Sequence, residues 1–196
     1  MKVGIVRCYT PQYRDVHLKT WPSVVEYGES YGYHTIAICL PPDSDTQSVS
    51  RYKMEVIMEL LSLYSHLLWI DADAYVQNPV PLSDFVDDTH DVFISKDING
   101  INAGVMAFGK GAVALISEML QMQMSAPWFE QGVLKILIEE TFPAKVKYLN
   151  QSDFQAYKYS LYGLSFPEGE ATKDSFIIHL PGLSNEQRIE NIPVKY

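Results

Sequence analysis

Asp71-Ala72-Asp73 follows directly on the apolar run Leu67-Leu68-Trp69-Ile70, so a buried strand would end by presenting two carboxylates two residues apart. Strand alternation sends such residues to one side, and a sharp turn after the strand lets both oxygens converge on one hard divalent cation. A carboxylate pair leaving a core strand needs a partner, which favours metal or ligand work over decoration of a solvent-facing edge. Ala72, between them, belongs to the same ligand-facing turn. The chain carries its own control in Asp43-Ser44-Asp45, which has the same spacing after Pro41-Pro42 but no apolar strand leading in. Turn formers dominate there, and a solvated loop is expected.

A second coordinating side chain stands at a strand exit late in the chain, where Phe176-Ile177-Ile178 runs into His179-Leu180-Pro181-Gly182. A lone imidazole is most often a structural hydrogen-bonding group. Gly182 changes that weighting, because close backbone approach to a phosphate demands a residue without a side chain. Two carboxylates and an imidazole form a mixed oxygen and nitrogen set that suits Mn²⁺ or Mg²⁺, with diphosphate oxygens and water completing the shell. The fold must then bring the two strand ends together.

The elements that would position these groups alternate. Val3 to Cys8 reads as a buried strand; Val24, Tyr27 and Tyr31 have the spacing of a helix face that begins or kinks at Pro22, with Gly32 as its stop. Thr35 to Leu40 is a second strand. From Arg51, the apolar positions Met54, Ile57, Met58, Leu61 and Tyr64 mark an amphipathic helix that leads into the strand ending at Ile70. This βαβαβ series predicts an α/β fold with a mostly parallel sheet and helices on both faces. Such sheets bind ligands at the carboxyl ends of their strands, which is where Asp71 and Asp73 fall. Strand one would deliver Arg7, Tyr9 and Thr10 to that edge as stacking and hydrogen-bonding groups for a base and ribose, against the plainer reading of a loop with an aromatic anchor. Arg51 and Lys53 are a nearby basic source, although a solvated helix start is the commoner role for such residues.

In the second half, Asp91 to Ser95 and Ala103 to Phe108 read as strands joined by a polar turn whose Asn99-Gly100 pair favours tight reversal. Helices are expected over Gly111 to Met124 and about Phe129 to Glu140, strands near Val146 to Leu149 and Ser175 to His179, and a short helix around Asn185 to Glu190. The aromatic stretch Tyr157, Tyr159, Tyr162 and Phe166 is read as core or loop anchor ahead of an acceptor-stacking surface. No repeat or linker stands out, and one domain over residues 1–196 is the economical reading.

Fifteen basic against twenty-four acidic residues give a net charge of -9, which opposes binding to nucleic acid or anionic membranes. A phosphate-ester ligand in that field would need a bridging cation. The first residues are broken too early by Arg7 for a signal peptide, and no window approaches the roughly twenty apolar residues of a membrane span. A soluble cytoplasmic protein is expected, with Cys8 and Cys39 as reduced thiols in core strands.

Four blocks come in a telling order: Trp69-Ile70-Asp71-Ala72-Asp73-Ala74-Tyr75-Val76-Gln77-Asn78, Ile101-Asn102-Ala103-Gly104-Val105-Met106-Ala107-Phe108, Glu130-Gln131-Gly132-Val133-Leu134 and Ile178-His179-Leu180-Pro181-Gly182. Together they resemble a GT-A glycosyltransferase, most closely the fungal galactosyl- and mannosyltransferase and plant xyloglucan xylosyltransferase family with its small viral or bacterial relatives. The glycogenin-like family shares the layout. The resemblance implies transfer of a sugar from a nucleotide diphosphate donor, UDP ahead of GDP, to a hydroxyl of a glycan or glycoconjugate, with the anomeric configuration retained. It assigns Asp71, Asp73 and His179 to Mn²⁺, and places Asn102, Glu130 and Gln131 in the catalytic set beside donor sugar and acceptor. Glu130 stands where the family usually has Asp. A lysine often found after the family's histidine is absent, Leu183-Ser184 standing there instead. Arg188 is a substitute cation, with a solvated arginine as the equal alternative.

Two competitors belong to other classes. A haloacid-dehalogenase-type phosphatase also begins with Asp-x-Asp after an apolar strand, but Asp87-Asp88 follows too closely to be its second acidic pair. A noncatalytic sugar-nucleotide binding module would keep the fold without turnover.

Overall fold

The computed structural model describes residues 1–122, 129–141, 145–158 and 167–193. In chain order the elements are β1 (Val3–Tyr9), α1 (Arg14–Tyr31), β2 (His34–Cys39), α2 (Thr46–Leu60), β3 (His66–Ile70), β4 (Ala74–Val76), β5 (Val92–Asp97), β6 (Gly100–Gly109), α3 (Ala112–Gln121), α4 (Glu130–Ile136), β7 (Val146–Leu149), α5 (Gln151–Phe154), β8 (Gln155–Ala156), β9 (Ile177–His179) and α6 (Asn185–Asn191). Six strands form a sheet in the order β2-β1-β3-β6-β5-β7. Only β6 runs against the rest, pairing antiparallel with β3 and β5, so the expected mostly parallel α/β sheet is present.

Period-two alternation divides the core between two faces. Val6, Cys8, Leu67, Trp69, Ile94, Met106 and Phe108 pack with residues of α2, α3 and α4. Val3, Ile5, Leu68, Ile70, Phe93, Val105 and Ala107 pack with Val24 and Tyr27 of α1 and with Phe154 and Phe176. Helices therefore cover both faces, each large apolar side chain contributing roughly 1.5–3 kcal/mol by leaving water.

Three local expectations are corrected. Helix α1 does not begin at Pro22 but starts at Arg14 and continues through the proline, with Val16, Thr20, Val24 and Tyr27 as its buried stripe. Asp45 is more than part of a solvated loop, since its carboxylate caps α2 by accepting the Ser48 amide at 2.7 Å. Cys39 is exposed, because β2 is an edge strand with one face open. Gly32 does end α1, at φ 67. The helix expected over Gly111 to Met124 is Ala112–Gln121, and that over Phe129 to Glu140 is α4 followed by a wider π-type turn over Leu137–Thr141.

A second sheet, β4-β9-β8, positions the site. Antiparallel pairing sets Ala74 opposite His179, and Leu180 N donates to Asp73 O at 3.1 Å. On the other side β6 breaks its register with β5 between Ile94 and Ser95, and Asp71 N donates to Gly104 O at 2.8 Å. Among the described residues no helix is long and apolar enough to cross a membrane.

Candidate active site

Asp71 and Asp73 sit on the turn between β3 and β4, and His179 closes β9 directly across the small sheet. One ligating atom from each lies within 4.8 Å of the other two, the only such trio of ligating side chains among the described residues. The three face an open cavity of about 550 Å³. Donor bonds of about 2.0–2.2 Å from a common centre nearly bridge that span. His179 Nε2 stands 3.3 Å from Asp73 Oδ1, while its Nδ1 is buried without a hydrogen-bond partner. Two carboxylates, Asp73 buried and Asp71 partly open to the cavity, with a buried and incompletely paired imidazole fit a divalent cation of the Mn²⁺ or Mg²⁺ kind.

Two buried cations grip the carboxylates. Lys53 Nζ lies 3.3 Å from Asp71 Oδ1 and 3.2 Å from Glu130 Oε1, and donates to Ala103 O at 2.6 Å. The solvated helix start expected for Lys53 is thus wrong. Arg188 is buried too, its Nε donating to Asp73 Oδ2 at 2.9 Å and to Leu180 O at 3.1 Å, so the solvated alternative also fails there. Burial works against ionisation of Asp73, yet His179 and Arg188 hold its carboxyl at about 2. Burial pushes Asp71 the other way, above its ordinary range, with Lys53 and His179 opposing. Burial likewise opposes the charge on Lys53, but Asp71 and Glu130 win and raise it.

The facing wall carries Asn102, Gln131 and Glu130. Asn102 Nδ2 donates to Asp97 Oδ2 at 2.7 Å and to the Tyr157 hydroxyl, and its Oδ1 accepts from Gly104 N at 2.9 Å. Its polar atoms thus brace the wall. Gln131 Oε1 accepts from Ala103 N at 3.2 Å. Asp97 and Tyr157, which also bond each other at 2.9 Å, line the cavity. Tyr157 is buried, as expected of an anchor, and nonetheless reaches the cavity wall, where it is joined by Asp97 from the turn expected after β5. Tyr159, Tyr162 and Phe166 lie outside the described residues.

At the end of β1, Tyr9 and Thr10 line the cavity. The Tyr9 ring is stacked on His17 at 3.9 Å, which fixes its plane. Thr10 is buried, with its hydroxyl unpartnered. Ala72 and Gly182 also line the cavity, and Gly182 holds φ 74, a conformation that favours glycine. Two expected contacts are corrected. Arg7 is fully buried beneath the site, donating to Thr20 Oγ1 at 2.6 Å and Ala74 O at 2.8 Å. Arg51 points away, paired with Glu55 at 3.0 Å and donating to Leu120 O at 3.1 Å. Asp87, already too close in sequence to serve as a phosphatase's second acid, binds His90 and Lys147 ahead of β5, at the opposite end of the sheet.

No protein-family model and no curated protein matches this chain by sequence. Solved structures do match. A glycosyltransferase involved in the glycosylation of the major capsid of PBCV-1 superposes with a TM-score of 0.79 at 21% identity, covering 98% of each chain. The bifunctional glycosyltransferase WbbM in its apo form gives 0.68 at 14% identity, covering 98% of this chain and 50% of that one. The galactosyltransferase LgtC, solved with donor and acceptor sugar analogs, gives 0.61 at 14% identity over 95% and 94% of the two chains. The fold of this chain is the GT-A fold that these glycosyltransferases share.

Proposed function

We propose that this chain is a metal-dependent glycosyltransferase, one domain over residues 1–196, that moves a hexose or pentose from a nucleotide diphosphate sugar to a hydroxyl of a glycan or glycoconjugate. UDP is the preferred carrier and GDP the alternative. The observation that carries this is the convergence of Asp71, Asp73 and His179 within 4.8 Å at a cavity of about 550 Å³. The shared fold supports it, because ligands of open α/β sheets sit at the strand ends where these residues lie. The finer placement with fungal and plant families, and retention of configuration, rests on the motif resemblance alone.

When bound, a divalent cation, Mn²⁺ ahead of Mg²⁺, supplies Lewis-acid stabilisation of the charge gathering on the departing diphosphate. The chain's own groups do the rest. Tyr9, held flat by His17, offers a stacking face for the base, and the Thr10 hydroxyl an unspent hydrogen bond beside it. The Gly182 turn permits close approach of phosphate to backbone. Glu130, held by Lys53, and Gln131 orient sugar hydroxyls, with Asn102 bracing that wall. The expected compartment is the cytoplasm.

A screen of UDP-, GDP- and TDP-sugars, with Mn²⁺ and with EDTA, tests the reading. Metal-dependent release of nucleotide from one donor is expected, and NMR of the product reports the anomeric configuration. Tight UDP binding with no sugar released from any donor would replace the transferase by a binding module.

A further inference from the structure

Each acidic residue of the candidate metal centre is gripped on one oxygen. Asp71 Oδ1 accepts from Trp69 Nε1 at 2.5 Å and from Lys53 Nζ at 3.3 Å. Asp73 Oδ2 accepts from Arg188 Nε at 2.9 Å, whereas its Oδ1 faces His179. The gripping groups are themselves fastened. Lys53 is held by the Ala103 carbonyl and Glu130, and Arg188 by the Leu180 carbonyl and, at 3.1 Å, by Asn185 Oδ1. Their side chains are only 3% and 9% exposed, so Lys53 stays below the surface between its partners and Arg188 cannot swing into water without leaving buried Asp73 uncompensated.

We propose that Lys53 and Arg188 are positioning residues that leave one oxygen of each carboxylate to the bound ion, so that the centre selects a small six-coordinate cation over Ca²⁺. The proposal rests on the metal-dependent reading above. Ca²⁺ takes six to eight oxygens and commonly draws on both oxygens of a carboxylate, while Mg²⁺ and ions of its kind accept one oxygen from each of a few carboxylates and fill the octahedron with water and phosphate. An oxygen already accepting from an ammonium or guanidinium group is a poor second ligand, because the cation repels the ion and fixes the carboxylate plane. His179 adds a nitrogen, which further favours Mn²⁺ over Ca²⁺. Comparing variants that all keep His179 isolates the share due to the grip.

The test measures ion preference, not turnover. Mn²⁺ binding to wild type, Lys53→Met and Arg188→Gln is followed by electron paramagnetic resonance, with and without UDP, and Ca²⁺ by competition. Circular dichroism without metal establishes that each variant folds. The wild-type preference for Mn²⁺ over Ca²⁺ should fall about tenfold in each variant, the usual scale for loss of a partner behind a ligand. Taking a ratio cancels the general effect of removing a positive charge. Should both variants misfold, Trp69→Phe removes one donor to Asp71 Oδ1 and keeps an aromatic, if smaller, side chain there, and a fall of about threefold is expected. An unchanged ratio in the folded variants, or a wild type that does not prefer Mn²⁺, overturns the proposal. A wild type that prefers Mn²⁺ yet releases sugar from no donor sinks the transferase reading and leaves the grip standing.

Discussion

The imidazole of His179 fills the space that a side chain on Gly104 would need: a Cβ there would overlap the ring at Cε1 and stand 2.7 Å from Nε2. The same glycine accepts the Asp71 amide through its carbonyl and donates its own amide to Asn102. One residue without a side chain thereby seats the histidine, the first acid and the facing wall.

Gly104→Ala should push the ring out of register with Asp73. Overpacking of this kind costs about 1–3 kcal/mol, and misplacing the ligand should weaken Mn²⁺ binding about 10- to 100-fold. Calorimetric titration with Mn²⁺ and UDP checks this. Native-like affinity in a folded variant would remove His179 from the ligand set.

Asp73→Ala should abolish metal-dependent UDP binding, since it removes one ligand and strands Arg188 beside His179. Residual UDP affinity should be the same with Mn²⁺ as with EDTA. Should Mn²⁺ still tighten UDP binding as in the wild type, Asp73 does not hold the ion.

The chain displayed its strand exits openly but not their adjacency. Apolar runs, Gly32 and the Pro41-Pro42 pair punctuate the first half into alternating elements, and the β3 exit carries its two acids in plain view. What joins Asp73 to His179 is the pairing of β4 with β9, a contact between distant parts of the chain that local periodicity cannot reveal. Two placements follow from phase alone. Arg7 is in phase with Val3 and Ile5, so alternation alone puts it on the face that α1 covers. Lys53 precedes Ile57 by one helical turn, in phase with the apolar stripe of α2, and a cation there needs buried partners. Asp97 follows the expected strand into its polar turn, and nothing local marks it off from a turn-forming aspartate.

Folding stability should fall with acid through His17. Burial, then the charge of Arg7, lowers its pKa from 6.5 to about 4, so the fold favours the neutral ring and the unfolded chain takes up the proton first. The contribution is complete above about pH 6.5 and shrinks as the pH drops toward 4. Urea titrations of His17→Phe across that window should show a flatter pH profile than wild type. An equal slope in both would place the sensitivity elsewhere.

Arg7 and Tyr9, neighbours on one strand, should separate cleanly by mutation because the fold uses them for different things. The Arg7 guanidinium ties Thr20 and the Ala74 carbonyl together under the turn that carries both acids, and burial lowers its pKa to about 9 while Asp71 and Asp73 pull it back up. Arg7→Met should leave those acceptors short of a donor and the acids short of a counter-charge, at about 2–4 kcal/mol in urea unfolding. Mn²⁺ affinity should fall with it, since the turn loses its support. Tyr9→Ala removes a cavity-lining ring, so it should weaken UDP binding in EDTA about fivefold or more by loss of stacking and leave the Mn²⁺ affinity near wild type. The converse outcome, an Arg7→Met protein as stable as wild type with only its nucleotide affinity reduced, would return Arg7 to the ligand and deny it the role of strut.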